Sequence, residues 1–298
     1  MVPRTGAVAP TRAQAGAAPV ATVAIPTRGR PDYLDVTLRS VVPQAEEVAA
    51  EVLVITDGPD ARSAEVATRH RARTVALPQP MGLNAARNAA IATAASELIV
   101  FVDDDVEVSP GWLTAYLAGA ERAPESEVYG GPIRARLEGG GPRGCGREKP
   151  PITTLDLGEL DRDVPLVWGA NMAVRVQAFR RLGTFDETIA GAGDEEEWLR
   201  RYRAQGGRVR YLAAAGLDHR RSPADARLVT LARAAYTRGR SARRYDTRAG
   251  AAPALGSELR TLGGCAWHVA RRRCPLGLVF TAHSAGRLRE ALSRESGR

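Results

Sequence analysis

Between Val20 and Val102 the chain alternates short β-branched runs with stretches whose apolar residues recur three or four apart. That order predicts a parallel sheet covered by helices. Val20 to Ile25 reads as the first strand, stopped by Pro26, and a helix follows from about Pro31, where proline suits a first helical turn and Leu34, Leu38 and Val41 share a face. Glu51 to Thr56 reads as strand two, Arg73 to Leu77 as strand three, and Leu83 to Ala94 as an alanine-rich helix. Strand four is Glu97 to Val102, and it runs directly into Asp103, Asp104 and Asp105.

The second half is less regular. Gly139 to Gly146, followed by Pro150 and Pro151, reads as a loop, either a surface connection or a lid. Val164 to Val174 suggests a strand pair, Arg175 to Leu182 a short helix, Asp194 to Ala204 a longer helix, and Arg208 to Leu212 a strand. Apolar positions at Leu228, Leu231, Ala235, Leu288 and Leu292 make residues 222 to 298 mainly helical. The expected organisation is a flexible tail over 1–19, an α/β domain over 20–222 and a helical C-terminal extension over 223–298.

Composition adjusts this picture only modestly. A 44% hydrophobic content over 298 residues supports a real core. The net charge of +8 invites a polyanion partner, but the cations are spread along the chain and Lys149 is the single lysine, so nucleic acid is not expected. Arg271, Arg272 and Arg273 stand apart: beside Trp267 and the run Leu276 to Phe280 they suit either a solvated helix edge or a peripheral membrane contact. Cys145, Cys265 and Cys274 have no C-x-x-C spacing, so neither a zinc cage nor a disulfide framework is implied, and sparse cysteine use fits a reducing cytoplasm. No run approaches the roughly 18 apolar residues of a membrane span.

Three adjacent carboxylates at a strand end repel one another unless a cation or a set of donors compensates them. Alone, Asp103 to Asp105 is compatible with a turn, with a cap for a helix starting near Pro110, or with Mg2+ or Mn2+ held through one or two carboxylates and a diphosphate. Ligands of open α/β sheets gather at the carboxyl ends of strands, and here Pro26-Thr27-Arg28, Asp57-Gly58 and the three acids all fall there. A second acidic run, Asp194 to Glu197, opens a helix, where acids also complement the helix dipole.

Taken in order, Ala24 to Leu34, Thr56-Asp57-Gly58, Gly82 to Ala89, Phe101 to Val106, Trp168 to Ala173, Gly183 to Glu187 and Gly193 to Arg201 resemble the family 2 glycosyltransferases. The resemblance extends from about residue 20 to His219. It implies a GT-A fold, a Rossmann-like mixed central sheet flanked by helices, and metal-dependent, inverting transfer of a sugar from a nucleotide-diphosphate donor (UDP-, GDP- or dTDP-linked) to a saccharide, lipid-linked or small-molecule hydroxyl. By the same resemblance Pro26, Thr27, Arg28, Asp57, Arg87, Asp103 and Asp104 would bind the nucleotide sugar. Asp105, with Asp103 and His219, would hold a divalent cation, Mn2+ or Mg2+. Trp168, Gly169 and Asn171 would lie on the acceptor side, and Glu195, with Asp194 as alternative, would be the catalytic base. The family's usual Glu-Asp pair is replaced by Asp194-Glu195, which keeps the carboxylate and shifts its reach by one methylene. A nucleotidyltransferase or a non-catalytic nucleotide- or glycan-binding module of the same fold are the rival readings. No G-x-G-x-x-G follows strand one, which disfavours a dinucleotide-dependent oxidoreductase.

Overall fold

The computed structural model describes residues 18–295 apart from 147, 190 and 192, with the side chains of residues 194, 294 and 295 also outside the description. The expected tail therefore falls almost wholly outside the described residues. The first half builds β1 (Thr22–Thr27), α1 (Pro31–Glu47), β2 (Glu51–Thr56), α2 (Ala61–Arg69), β3 (Arg73–Ala76), α3 (Leu83–Thr93) and β4 (Leu98–Val102). After the acids come β5 (Val106–Val108), α4 (Trp112–Arg122), β6 (Val128–Gly130) and β7 (Ile133–Leu137). Then follow β8 (Arg162–Val164), β9 (Asn171–Arg175), α5 (Val176–Leu182), α6 (Asp194–Ala204), β10 (Val209–Tyr211) and β11 (Leu217–Arg221). Three long helices close the chain: α7 (Leu228–Arg248), α8 (Leu255–Arg272) and α9 (Gly277–Glu295).

The main sheet has the order β3-β2-β1-β4-β9-β6-β10-β8, and a small sheet has the order β5-β11-β7. β3, β2, β1 and β4 are parallel, as the alternation of strands and helices predicts, while β9 runs antiparallel to both β4 and β6. The sheet is therefore mixed.

Both faces of β1, β2 and β4 are buried, which is why they read as continuous apolar runs, whereas β3 at the edge is partly exposed. Val23, Ile25, Val100 and Val102 face a core completed by Leu34 and Leu38 of α1 and Trp112 of α4. Ala24, Ile99 and Phe101 face the opposite core with Ala86 and Ala90 of α3 and Trp198 of α6. Phe101, Phe179, Phe185 and Trp198 cluster there, with Phe179 and Trp198 at a centroid separation of 4.7 Å.

Several local expectations are corrected. Pro26 does not stop strand one, because β1 continues in register with β2 to Thr27. Thr27 turns its carbonyl to β2, accepting from the Asp57 N–H at 2.9 Å, so Pro26 faces β4, whose pairing has already ended at Ala24. The missing N–H thus costs no ladder bond. The segment from Val164 to Val174 is not a strand pair: β8 pairs with β10 at the sheet edge, whereas β9 lies between β4 and β6. α2 and the short strands β5, β6, β7 and β11 carry too few residues for a visible period.

α7 and α9 cross at two glycines. A Cβ at Gly239 would lie 2.0 Å from the His283 carbonyl oxygen, and one at Gly286 would lie 2.1 Å from that of Tyr236. Backbones this close leave no room for a methyl group. Substitution Gly239→Ala should destabilise the protein by about 1–3 kcal/mol by forcing the helices apart. Chemical denaturation followed by far-ultraviolet circular dichroism measures this, and an unchanged midpoint would rule out so close a crossing.

Candidate active site

The carboxyl ends of β1, β2 and β4 converge, as parallel neighbours must. A cleft of about 290 Å3 opens there, lined by Pro26, Thr27, Arg28, Arg30, Asp57, Leu83, Ala86, Asp103 and Asp104. Asp57 Oδ1 accepts the Met81 and Gly82 N–H groups at 2.6 and 3.0 Å, fixing the turn that opens α3. Its Oδ2 lies 3.6 Å from the largely exposed guanidinium of Arg28. One oxygen therefore builds the pocket wall and the other faces a cation.

The three acids after β4 separate into different environments. Asp104 is buried and accepts from the Thr27 hydroxyl at 2.6 Å and from the Arg30 guanidinium. Burial, with Asp105 adding to it, pushes its pKa up to about 6 against the pull of Arg30. Asp104 thus ties β1 and the start of α1 to β4. Thr27, expected against a nucleobase, spends its hydroxyl on this tie.

Asp105 is buried and receives Arg30 at 2.9 Å and Arg221 at 2.6 Å on Oδ2. Burial works against its charge, yet His219, Arg221 and Arg30 hold its pKa well below the usual carboxylate range. Oδ1 accepts no hydrogen bond among the described residues and faces His219 Nε2 at 3.1 Å. His219 Nδ1 lies 3.1 Å from the Thr153 carbonyl oxygen, which can only accept, so Nδ1 carries a proton, while Nε2 lies 3.1 Å from both Asp105 Oδ1 and the Arg221 guanidinium. Asp103, Asp105 and His219 each bring a ligand atom to within 4.8 Å of the others. This donor set of carboxylate oxygens and one imidazole suits a divalent cation, with His219 oriented from behind by a carbonyl as metal-bound imidazoles commonly are. Burial, then the charge of Asp105, raises the pKa of Asp103.

Arg87 and Glu195 form a second cluster. Arg87 is buried on α3, with its guanidinium 5.7 Å from the Phe185 ring centroid and 3.5 Å from Glu195 Oε2. It is one of the charges that act on Asp103. Glu195 Oε1 accepts the Gly169 N–H at 3.1 Å. A Cβ at Gly169 would lie 2.2 Å from an Arg87 nitrogen, so glycine is required for this approach. The side chain of Asp194 lies outside the described residues.

The remaining acceptor-side expectations divide. Trp168 is half-buried and packs against the core beside α4. Asn171 is fully buried, accepting from Trp112 Nε1 at 2.9 Å and the Tyr116 hydroxyl at 2.8 Å while donating to the Pro132 and Ala215 carbonyls. With its amide fully used, Asn171 supports the segment from within and does not meet an acceptor. Arg30 and Arg221, absent from the expected set, are the cations that compensate the acids. Their signal lay in Arg28-Gly-Arg30 and His219-Arg-Arg221, where only the fold shows which arginine turns inward. Tyr245 of α7 was also missed: a Cβ at Gly193, just before the acids of α6, would lie 2.4 Å from its ring.

Comparison with known proteins agrees with this architecture. The glycosyl transferase family 2 model matches residues 22–183, and the chain belongs to that family. Among curated relatives, the O-antigen biosynthesis protein RfbC of Myxococcus xanthus is 29% identical over 223 residues, 68% of this chain and 17% of its own length. The pre-mycofactocin glycosyltransferase of Mycobacterium tuberculosis is 31% identical over 151 residues, 48% of this chain and 31% of its own. The chain thus spans less than a third of either relative. Among solved structures, GalNAc-T7 with UDP, GalNAc and Mn2+ superposes with a TM-score of 0.54 at 15% identity, covering 74% of this chain and 48% of that one. TarS of S. aureus gives 0.51 at 18% identity, covering 74% and 39%. The fold is GT-A, with a helical C-terminal extension.

Proposed function

We propose that the chain is a metal-dependent, inverting glycosyltransferase acting on a nucleoside-diphosphate sugar. The observation that carries this reading is the cluster of Asp103, Asp105 and His219, whose ligand atoms lie within 4.8 Å of one another, beside the 290 Å3 cleft. Asp103, Asp105 and His219 would hold Mn2+ or Mg2+, which when bound neutralises charge on diphosphate oxygens. Asp57 and Arg28 stand where a base and ribose would enter, and Arg87 supplies a fixed cation deeper in the site. UDP, GDP and dTDP donors all satisfy this chemistry.

Glu195 is the base in this reading. An acceptor hydroxyl loses its proton to the carboxylate as its oxygen attacks the anomeric carbon, and the bond to the diphosphate oxygen breaks with its electron pair. Attack opposite to the leaving group inverts the anomeric centre. The Gly169 N–H and Arg87 orient the carboxylate for this step. Asp194 remains the alternative base, one residue earlier on the same helix. In this scheme residues 20–222 perform transfer and 223–298 brace the loops around it.

Saccharide, lipid-linked and small-molecule acceptors all satisfy this chemistry, and one feature favours work near lipid. On α8, Trp267 is 68% exposed and Leu259 52% exposed, close in sequence to Arg271, Arg272 and Arg273. No helix among the described residues is long and apolar enough to cross a membrane, so the contact would be peripheral.

Three outcomes test these readings. Asp105→Ala should abolish the Mn2+-dependent part of nucleoside-diphosphate binding in calorimetry, and an unchanged affinity with and without Mn2+ would remove the metal assignment. Glu195→Gln should leave donor binding intact while lowering sugar transfer by about 10²–10⁴-fold. Transfer at the wild-type rate would shift the base to Asp194 or elsewhere, and wild-type protein that binds donor without any transfer would favour the binding-module reading. For the membrane contact, the protein should co-sediment with phosphatidylglycerol vesicles and Trp267→Ala should weaken this several-fold; protein left wholly in the supernatant would sink the idea.

A further inference from the structure

The glycine-rich loop between β7 and β8 packs against the turn that joins α8 to α9. There Cys145 and Glu148 of the loop meet His268 and Cys274 of the helical extension. The four bring two sulfurs, one imidazole nitrogen and one carboxylate oxygen to within 4.8 Å of one another. Glu148 Oε1 lies 3.0 Å from Cys145 Sγ, 3.0 Å from Cys274 Sγ and 2.5 Å from His268 Nε2. Cys145 Sγ and His268 Nε2 are 3.5 Å apart. For a tetrahedral ion with bonds of about 2.0–2.3 Å, ligand atoms stand about 3.3–3.8 Å from one another, so side-chain shifts of up to about 1 Å bring the cluster to that geometry.

The local backbone is built to present these donors. Gly146 takes a left-handed φ of 83°, and the Cys145 N–H donates to Glu148 Oε2 at 2.9 Å. Arg273 ends α8 with φ 48°, which swings Cys274 back beside the last turn carrying His268. The Leu276 N–H donates to the Arg143 carbonyl at 3.1 Å, pinning loop to turn by the main chain as well. Cys274 is buried with Ile152, Leu231 and Leu276, while an open cleft of about 450 Å3 lined by Glu148, His268, Cys265, Thr261 and Phe280 gives an ion access.

We propose that Cys145, Glu148, His268 and Cys274 form a structural Zn2+ site that clamps the 139–150 loop onto the C-terminal helices. Two thiolates and an imidazole select zinc over Mg2+ or Ca2+, which prefer oxygen, and the carboxylate completes four-coordination. Binding releases the two thiol protons, since the thiolate is the ligand. The loop so anchored continues to Thr153, whose carbonyl orients His219. This site is chemically distinct from the oxygen-rich cluster at Asp105 and does not depend on the transferase reading.

The experiment uses the full chain produced with added zinc, desalted and assayed for metal by mass spectrometry. One Zn2+ per chain is expected in the wild type and in Asp105→Asn, and loss of it in the Cys145→Ser, Cys274→Ser double variant. Replacement of zinc by Co2+ should give the near-ultraviolet thiolate-to-cobalt absorption, retained in Cys265→Ser and absent from the double variant. This spectrum decides the matter even where the double variant folds poorly, because it is read on protein that keeps both ligand thiols. Metal content that follows Asp105 instead of the cysteines, absence of the thiolate band, or a Cys145 to Cys274 disulfide in peptide mapping would each overturn the proposal.

Discussion

Negative charge at the end of β4 is the constraint around which the site is arranged. Two like charges about 4 Å apart repel by roughly 4 kcal/mol even at an effective dielectric near 20, and burial adds the cost of losing water. The fold answers with cations from two directions. Arg30 arrives from the start of α1, and Arg221 arrives with His219 from β11. β11 reaches the acids because it pairs with β5, the strand that follows them directly, and the Arg220 N–H donates to the Asp105 carbonyl at 2.8 Å. The small sheet is therefore part of the electrostatic solution.

The same constraint divides labour among adjacent residues of one type. Asp104 turns to Thr27 and Arg30 and holds the sheet edge to α1, whereas Asp103 and Asp105 turn to His219. Thr37 stitches the turn from the other side, donating to a backbone carbonyl of the same segment at 2.8 Å and accepting the Val106 N–H at 3.1 Å. Such pinning keeps a charged turn in one geometry.

On the opposite wall, precision comes from absent side chains. Gly169 lets Arg87 and Glu195 approach one strand end, while Gly191 and Gly193 lie against Ser241 and Tyr245 of α7. Arg248, also on α7, pairs with Asp186 at 2.7 Å in the loop leading to α6. The helical extension thus packs on the segment that presents the acidic pair. Beside its apolar contacts it buries an ion-pair cluster: Arg287 and Arg243 bond Glu258, whose burial opposes its charge while the two guanidinium groups bring its pKa down. Buried ion pairs of this kind fix the relative placement of α7, α8 and α9 more than they add net stability.

By itself the sequence determined the parallel half of the sheet, because buried β-branched runs and alanine-rich helices leave periodicities that survive without context. It also singled out residues that the fold gathers: Asp57 and Asp103 line one cleft, Asp103, Asp105 and His219 form one cluster, and the charge of Arg87 acts on Asp103. Short strands such as β5 and β11 left no period to read, and the placement of β9 between β4 and β6 depends on which partner offers free ladder groups. Tertiary structure alone decided which polar side chain turns inward. It gave Asn171 to Trp112 and Tyr116 and made Arg30 and Arg221 the counterions. It also joined Cys145 and Glu148 to His268 and Cys274 across more than a hundred residues. The reason is physical: spacing along a chain records local geometry, whereas compensation of buried charge and assembly of a ligand set are satisfied by whatever group the fold brings within a few ångströms.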